Sequence, residues 1–228
     1  MVDFAPALAD ALGADAVHTE DTQLDAYTTD TYWPAIAARA AGPPLGRPEV
    51  VAVPRTEDDV ATALRLASEY SVPVVAWGGG SGTQGGAVPI HGGLVIDLRA
   101  LDEIVEIDER SMTVTAQAGV NGRVLERALN ERGLMLPHYP ASAEWATVGG
   151  YVAARGSGVL STRYGKIEDL LLSLRVALPG GELIDTVSVP RHAVGPDLTQ
   201  LFVGSEGTLG IITRVTLEVA PLPPERRF

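Results

Sequence analysis

The chain has 228 residues, enough for one large domain or two closely packed subdomains with a substantial core. Its 17 basic against 29 acidic residues give a net charge of −12, which argues against a nucleic-acid partner, and the lack of cysteine excludes disulfides, thiolate metal sites and cysteine nucleophiles. No apolar run approaches the roughly 18 residues of a transmembrane helix, and the acidic start Met1-Val2-Asp3 is unlike a signal peptide, so we expect a cytoplasmic protein.

The segment 1–47 precedes the predicted body of the fold. Asp3 to Leu12 can form a short helix that ends at Gly13, whereas Asp21 to Trp33 is polar and aromatic and predicts irregular structure. Ala41 to Pro48 is rich in glycine and proline and is typical of a linker. We read no function from this segment.

A β-α-β unit follows the linker and leads into a glycine-rich stretch. Glu49 to Pro54 predicts a strand, and Thr56 has the features of a helix N-cap because Asp59 lies three residues further on. After that helix, Pro73 to Trp77 predicts the second strand. The glycine-rich stretch that starts at Ala76 therefore lies at the carboxyl end of a strand, where ligands of α/β sheets bind.

The stretch from Ala76 to Gly86, here called loop 1, has six glycines among eleven residues and no charged side chain. Glycine lets a ligand approach the bare backbone, so we interpret the N–H groups of loop 1 as a site for an anion such as a phosphate. Gly80 to Gly85 fits the dinucleotide pattern G-x-G-x-x-G, but residues 87–93 contain a proline and two glycines and lack the helix that a Rossmann turn requires. A Walker loop is excluded because no Gly-Lys-Ser/Thr ends the run.

The remaining pattern is mainly that of strands, which predicts the α+β class. A helix capped by Asn121 and closed by Gly133 is expected to turn an apolar stripe inward, formed by Val124, Leu125, Ala128 and Leu129. Further strands are predicted at Leu94–Leu98, Ile104–Asp108, Met112–Ala118, Leu170–Leu178, Glu182–Val189 and Ile211–Val219.

Two more clusters of small residues follow loop 1. Tyr139 to Gly158 carries hydroxyls at Ser142, Thr147 and Ser157, and Gly204 to Gly210 contains a single acid, Glu206. Any one cluster is equally well explained as turn chemistry. The presence of three in one chain favours a large phosphate-bearing cofactor.

Four motifs in this order resemble the FAD-binding domain of the vanillyl-alcohol oxidase/p-cresol methylhydroxylase (PCMH) flavoproteins. They are Ala76–Gly86, Thr147–Gly150, Arg163–Asp169 and Gly204–Thr213, and the resemblance runs from about Val50 to Leu222. Within the superfamily, the sequence is most similar to alkyl-dihydroxyacetone-phosphate synthase, on the residues Thr147 to Gly158 and Gly195 to Asp197, and next to the D-lactate and glycolate dehydrogenases.

This resemblance implies a PCMH-type fold of two α+β subdomains, at about 48–118 and 119–222, with FAD between them. Ala141 stands where the family usually has an acid, and Ser81 stands where covalently flavinylated relatives have a histidine, so dissociable FAD is implied. The implied cofactor-binding residues are Ala76, Trp77, Gly78, Gly79, Gly80, Ser81, Gly82, Ala141, Ser142, Thr147, Gly149, Gly150, Ala154, Arg155, Gly156, Ser157, Glu206, Gly207, Thr208, Leu209, Gly210, Ile211 and Ile212.

The resemblance leaves the reaction open. It implies either an FAD-linked oxidoreductase acting on a 2-hydroxy acid or a synthase-like transferase acting on a ketone phosphate, and a non-catalytic FAD-binding subunit or fragment is a third reading. Relatives pass into a substrate-binding cap domain near 223–228, so a separate cap subunit or a homo-oligomer is an expected partner. Arg155 and His138 are the weak catalytic candidates here, and we expect no metal site.

Overall fold

The computed structural model describes residues 3–224, so most of the tail expected at 223–228 lies outside the described residues. None of the described helices is both long and apolar enough to span a bilayer. The helices are α1 (Phe4–Leu12), α2 (Asp21–Leu24), α3 (Trp33–Ala41), α4 (Glu57–Glu69), α5 (Gly122–Asn130), α6 (Val148–Ala153), α7 (Ser161–Tyr164), α8 (Ile167–Leu170) and α9 (Leu198–Phe202).

The strands form two main sheets and one short pair, which confirms the α+β class. They are β1 (Val17–His18), β2 (Val50–Ala52), β3 (Val74–Trp77), β4 (Leu94–Asp97), β5 (Ile104–Asp108), β6 (Thr113–Gln117), β7 (Leu134–Met135), β8 (Leu171–Ala177), β9 (Leu183–Asp185), β10 (Ile211–Glu218) and β11 (Ala220–Pro221).

The first sheet has the order β1-β2-β4-β3, with β2 and β3 both parallel to β4. The predicted β-α-β unit is therefore present, with β4 between its two strands. Alternate residues of these strands face opposite sides: Val50 and Leu94 pack against α1 and α4, whereas Val51 and Val95 pack against Tyr27 and its neighbours. Side chains thus cover both faces of this sheet.

The predicted cap of α4 is formed in full. Thr56 Oγ1 accepts the Asp59 N–H at 3.1 Å, and the Asp59 carboxylate accepts the Thr56 N–H at 2.9 Å. This reciprocal capping box fixes where the helix begins and so where the chain can return to form β3.

The second sheet is antiparallel throughout and has the order β5-β6-β10-β8-β9. Strands β5 and β6 precede residue 118, the subdomain boundary suggested by the sequence, yet they pair within this second sheet. The chain therefore passes from one sheet to the other between residues 98 and 103. One face of this sheet is covered by α5, α6 and α8 in the largest apolar core.

An ion cluster joins the first helix of the β-α-β unit to the second sheet. The carboxylate of Glu57, at the start of α4, accepts hydrogen bonds from Arg175 at 3.0 Å and from Arg214 at 2.7 and 3.0 Å. Asp185 also accepts two hydrogen bonds from Arg175. These bonds, followed by the bond to Glu57, raise the pKa of the Arg175 guanidinium above its ordinary value. Because Glu57 is buried, this cluster fixes the relative position of α4, β8 and β10.

Two local predictions were wrong. The segment Asp21–Trp33, expected to be irregular, contains α2 and a turn of 3-10 helix, and its Leu24 and Tyr27 are buried against the first sheet. In α5, Val124 was expected to point inward but is 50% exposed, because the buried face is centred on Leu125 and Leu129.

Candidate functional site

A cavity of about 430 Å³ lies where loop 1, at the end of β3 in the first sheet, meets α6 and the start of β10. Its walls come from loop 1, from residues 140–157, here called loop 2, and from residues 206–212, here called loop 3. All the predicted cofactor-binding residues line the cavity except Arg155, Thr208 and Leu209. The volume falls in the range of sites that bind small molecules and cofactors.

The middle of loop 1 offers backbone donors to this cavity. The N–H groups of residues 79–82 donate to no acceptor in the part of the chain that the structure describes, although all four residues line the cavity. Unpaired N–H groups are rare in folded proteins unless a ligand or solvent takes them. Consecutive free N–H groups in a glycine-rich loop form a concave site that favours an anion.

At Gly79, loop 1 approaches loop 2 so closely that no side chain fits. A Cβ atom added to Gly79 would collide with the Trp145 carbonyl, and one added to Gly86 would collide with the Glu206 carboxylate. Loops 2 and 3 are also joined directly, since the Glu206 N–H donates to the Ala153 carbonyl at 3.1 Å. Backbone atoms of the three loops thus lie in direct contact at the cavity.

Loop 1 is held in shape by Trp77, the last residue of β3. Gly80 has φ = +60°, and a Cβ at this position would lie against the Trp77 indole. Trp77 in turn packs edge to face with Tyr27 at 5.1 Å between ring centroids. A residue with a side chain at position 80 would therefore be strained and would also displace the tryptophan.

The cavity is nearly free of charge. Glu206 is the only charged residue among its described lining residues, and Arg155, a cation within loop 2, pairs with Glu168 instead. An anion bound here would be held by backbone dipoles and hydroxyl groups rather than by Lys or Arg. Ser142, Thr147 and Ser157, the three hydroxyls singled out in the second cluster, all line the wall.

Sequence reasoning missed several lining residues. Thr83, Gln84 and Gly86 lie within loop 1 and Ala87 directly follows it, so the glycine run was the available signal. Tyr151 lies within the second cluster, directly after Gly150, whereas Leu98 had no such signal because it reaches the cavity only through pairing and packing of distant elements. The other residues missed are Pro140, Ala146 and Ala153.

Arg155 lies outside the cavity lining. Its Nε donates to Glu168 Oε1 at 3.0 Å, and Lys166 Nζ donates to the same oxygen at 2.8 Å. Burial raises the pKa of Glu168, but the hydrogen bonds from Lys166 and Arg155 outweigh this and leave the pKa below its ordinary value. Arg155 is therefore paired with a carboxylate of the protein itself.

His138 lies behind the cavity wall and is 4% exposed. Its ring packs edge to face with the Tyr151 ring at 4.7 Å, and Nε2 lies beside Gly156, which lines the cavity. Neither ring nitrogen has a hydrogen-bond partner among the described residues. Burial lowers the pKa of His138 to about 4, against the opposing charge of Glu168, so the ring is neutral at pH 7.

Comparison with known proteins connects this geometry to a cofactor. Residues 48–187 match the model of a family described as an FAD binding domain. The glycolate oxidase subunit GlcD of Bacillus subtilis is 38% identical over 181 residues, which are 79% of this chain and 38% of that protein.

Solved structures give the same picture. An alkyldihydroxyacetonephosphate synthase superposes with a TM-score of 0.89 at 29% identity, over 99% of this chain and 45% of the synthase chain. A p-cresol methylhydroxylase superposes with a TM-score of 0.83 at 23% identity, over 98% of this chain and 44% of that chain. At this identity the comparison shows that the fold is similar. This chain therefore spans less than half the length of these relatives.

The burial of His138 predicts a pH dependence of stability. In the unfolded chain a histidine has a pKa of about 6.5, whereas in the folded chain the pKa of His138 is about 4. Between these values the unfolded state binds more protons, so the free energy of unfolding falls as the pH is lowered from 6.5 to 4. We expect His138→Phe to remove this part of the decline.

Urea unfolding at pH 4 to 7 measures the effect, with His91→Phe, a substitution of an exposed histidine, as the control. An unchanged pH slope in His138→Phe would contradict the assignment.

Proposed function

The chain belongs to the FAD-binding domain family of the PCMH superfamily, and on this premise we propose that the cavity between its two sheets holds FAD, with the diphosphate on loop 1. The observation that carries the proposal is the row of unpaired N–H groups at residues 79–82. Two phosphates need several donors, and a rigid glycine-rich backbone supplies them without the entropy cost of ordering long side chains.

The nearly uncharged lining fits the same assignment. FAD brings its own negative charges, and the carboxylate of Glu206 would repel them, so we assign Glu206 and the rest of loop 3 to the adenosine half, which offers hydroxyl and amine donors. Loop 2 would hold the flavin half and the adjoining phosphate with Ser142, Thr147 and Ser157. Bound FAD supplies an isoalloxazine ring that accepts electrons.

We further propose that FAD is bound without a covalent link, because Ser81 stands where relatives with covalent flavin have a histidine. Acid precipitation of the reconstituted chain should leave all the yellow flavin in the supernatant. Flavin that stays with the pellet after washing would contradict dissociable binding. Failure of the folded chain to retain any FAD after gel filtration would overturn the cofactor assignment itself.

A matched pair of glycine substitutions tests the site. Gly79→Ala places a methyl group on the Trp145 carbonyl and forces loops 1 and 2 apart, whereas the methyl of Gly82→Ala meets only Asp30 Oδ2, at an ordinary 3.6 Å. We expect Gly79→Ala to weaken FAD binding more than tenfold, or over about 1.4 kcal/mol, and Gly82→Ala to change the affinity by less than threefold.

Titration of the apo chains with FAD, followed by flavin fluorescence, gives both affinities. Equal losses in the two variants would show that the close approach of loops 1 and 2 does not set the affinity.

For the reaction, we propose that the domain serves an FAD-linked oxidoreductase that takes a 2-hydroxy acid. Curated relatives named as a glycolate oxidase subunit and a cytochrome-linked D-lactate dehydrogenase, 38% and 39% identical, support this substrate class. A transferase acting on a ketone phosphate is the second candidate, supported by the likeness to the synthase over 99% of this chain. Either activity would need a substrate-binding partner or domain in addition to this chain.

The lining predicts that the FAD-loaded chain alone does not oxidise these acids. Proton abstraction needs a base with a pKa near neutrality beside the substrate. Of the titratable lining residues, Tyr151 has its pKa raised by burial to about 12, and Glu206 belongs to loop 3, which we assign to the adenosine half. Anaerobic addition of glycolate or D-lactate should leave the flavin absorbance unchanged, while dithionite bleaches it as the positive control. Rapid bleaching by either acid would show that the described residues complete the active site.

A further inference from the structure

Residues 27–32, here called the N-terminal strap, touch the outer side of loop 1. They precede residues 48–187, the part that matches the FAD-binding family. The Tyr27 hydroxyl donates to Asp97 at 2.7 Å, and its ring packs on Trp77. The strap is therefore anchored to the end of β4 and to the residue that shapes loop 1.

Thr31 is the residue of the strap that binds the loop backbone. Its N–H donates to the Gly82 carbonyl at 3.0 Å, and its hydroxyl reaches the carbonyls of Ser81 and Gly82 at 3.0 and 2.7 Å. The strap itself is held in a turn, because Asp30 Oδ1 accepts the Tyr32 N–H at 2.8 Å. Two consecutive carbonyls of loop 1 are thus drawn to one side by one threonine.

Because the peptide bond is planar, the contact of Thr31 with two carbonyls also sets the direction of the N–H groups that follow them. In a trans peptide the C=O and the following N–H point in opposite directions. Holding the carbonyls of Ser81 and Gly82 on the strap side therefore turns the N–H groups of Gly82 and Thr83 to the other side. Both of these residues line the cavity, and neither N–H has an acceptor among the described residues.

We propose that Thr31 is a positioning residue of the cofactor site, which orients the Gly82 and Thr83 N–H groups toward the FAD diphosphate before the cofactor arrives. This inference rests on the proposed function of the cavity. Donors fixed in advance raise affinity because binding does not have to order them. Thr31 is itself exposed, so its hydroxyl contributes little to the stability of the fold.

Thr31→Val tests the proposal, since it removes the hydroxyl and keeps the shape and the backbone N–H. We expect the FAD and ADP affinities of this variant to fall about three- to tenfold, within the range for one lost hydrogen bond. Riboflavin, which has no phosphate, should bind Thr31→Val and wild type alike. Thr31→Ser, which keeps the hydroxyl, should restore FAD affinity to within twofold.

The matched control is Thr22→Val, at an exposed threonine of α2 whose side chain makes no hydrogen bond to a described residue. It should change neither affinity nor thermal stability. Dissociation constants come from fluorescence titration, and thermal unfolding of each apo chain shows whether the fold has changed.

The outcomes distinguish a failure of the proposed FAD site from a failure of the positioning role of Thr31. If the wild type does not bind FAD, the proposed function fails and takes this inference with it. If the wild type binds FAD and Thr31→Val binds it equally well, or loses riboflavin affinity in the same proportion, the positioning role is wrong. If Thr31→Val does not fold, amide hydrogen exchange of the wild type is the test. The Gly82 and Thr83 N–H groups must become protected from exchange when FAD is added, and unchanged exchange would contradict the proposal.

Discussion

The close approach of three backbone segments is the constraint on which this structure depends. Gly79 lies against the Trp145 carbonyl, so this position has no room for a Cβ atom, and the Glu206 N–H of loop 3 donates to the Ala153 carbonyl of loop 2 at 3.1 Å. Loop 1 begins at the end of β3 in the first sheet, whereas loop 3 runs into β10 of the second sheet and α6, within loop 2, packs against that sheet. The cavity wall can form only while the two sheets keep their relative position.

That position is set by packing and by the Glu57 cluster. Ala177 and Ile211, from β8 and β10 of the second sheet, belong to the core that α1 and α4 build against the first sheet. The Glu57 carboxylate binds Arg175 and Arg214 on those same strands. An apolar contact is non-directional, whereas this buried ion cluster fixes one arrangement of α4 over β8 and β10.

Local signals predicted much of this fold and part of the site. The capping box of Thr56 and Asp59 and the glycine runs depend only on residues that are neighbours in the chain, so the sequence alone predicts them. Val124 was misplaced because helical spacing alone does not say which of two adjacent apolar stripes meets the sheet. Leu98 and the N-terminal strap could not be found this way, since their contacts to loop 1 join residues that are far apart in the chain.

The two catalytic candidates illustrate what kind of site this domain provides. Arg155 is paired with Glu168, and His138 is buried behind Gly156 with its pKa lowered, so neither presents a charge to the cavity. Apart from the Glu206 carboxylate, the wall offers backbone donors and hydroxyls, which can hold a ligand through hydrogen bonds. A site of this composition suits a cofactor that carries the reactive group itself, because the protein then needs only to hold it. Under the proposed function, the substrate's proton would pass to a group outside this wall, so binding of FAD and choice of substrate can be tested separately.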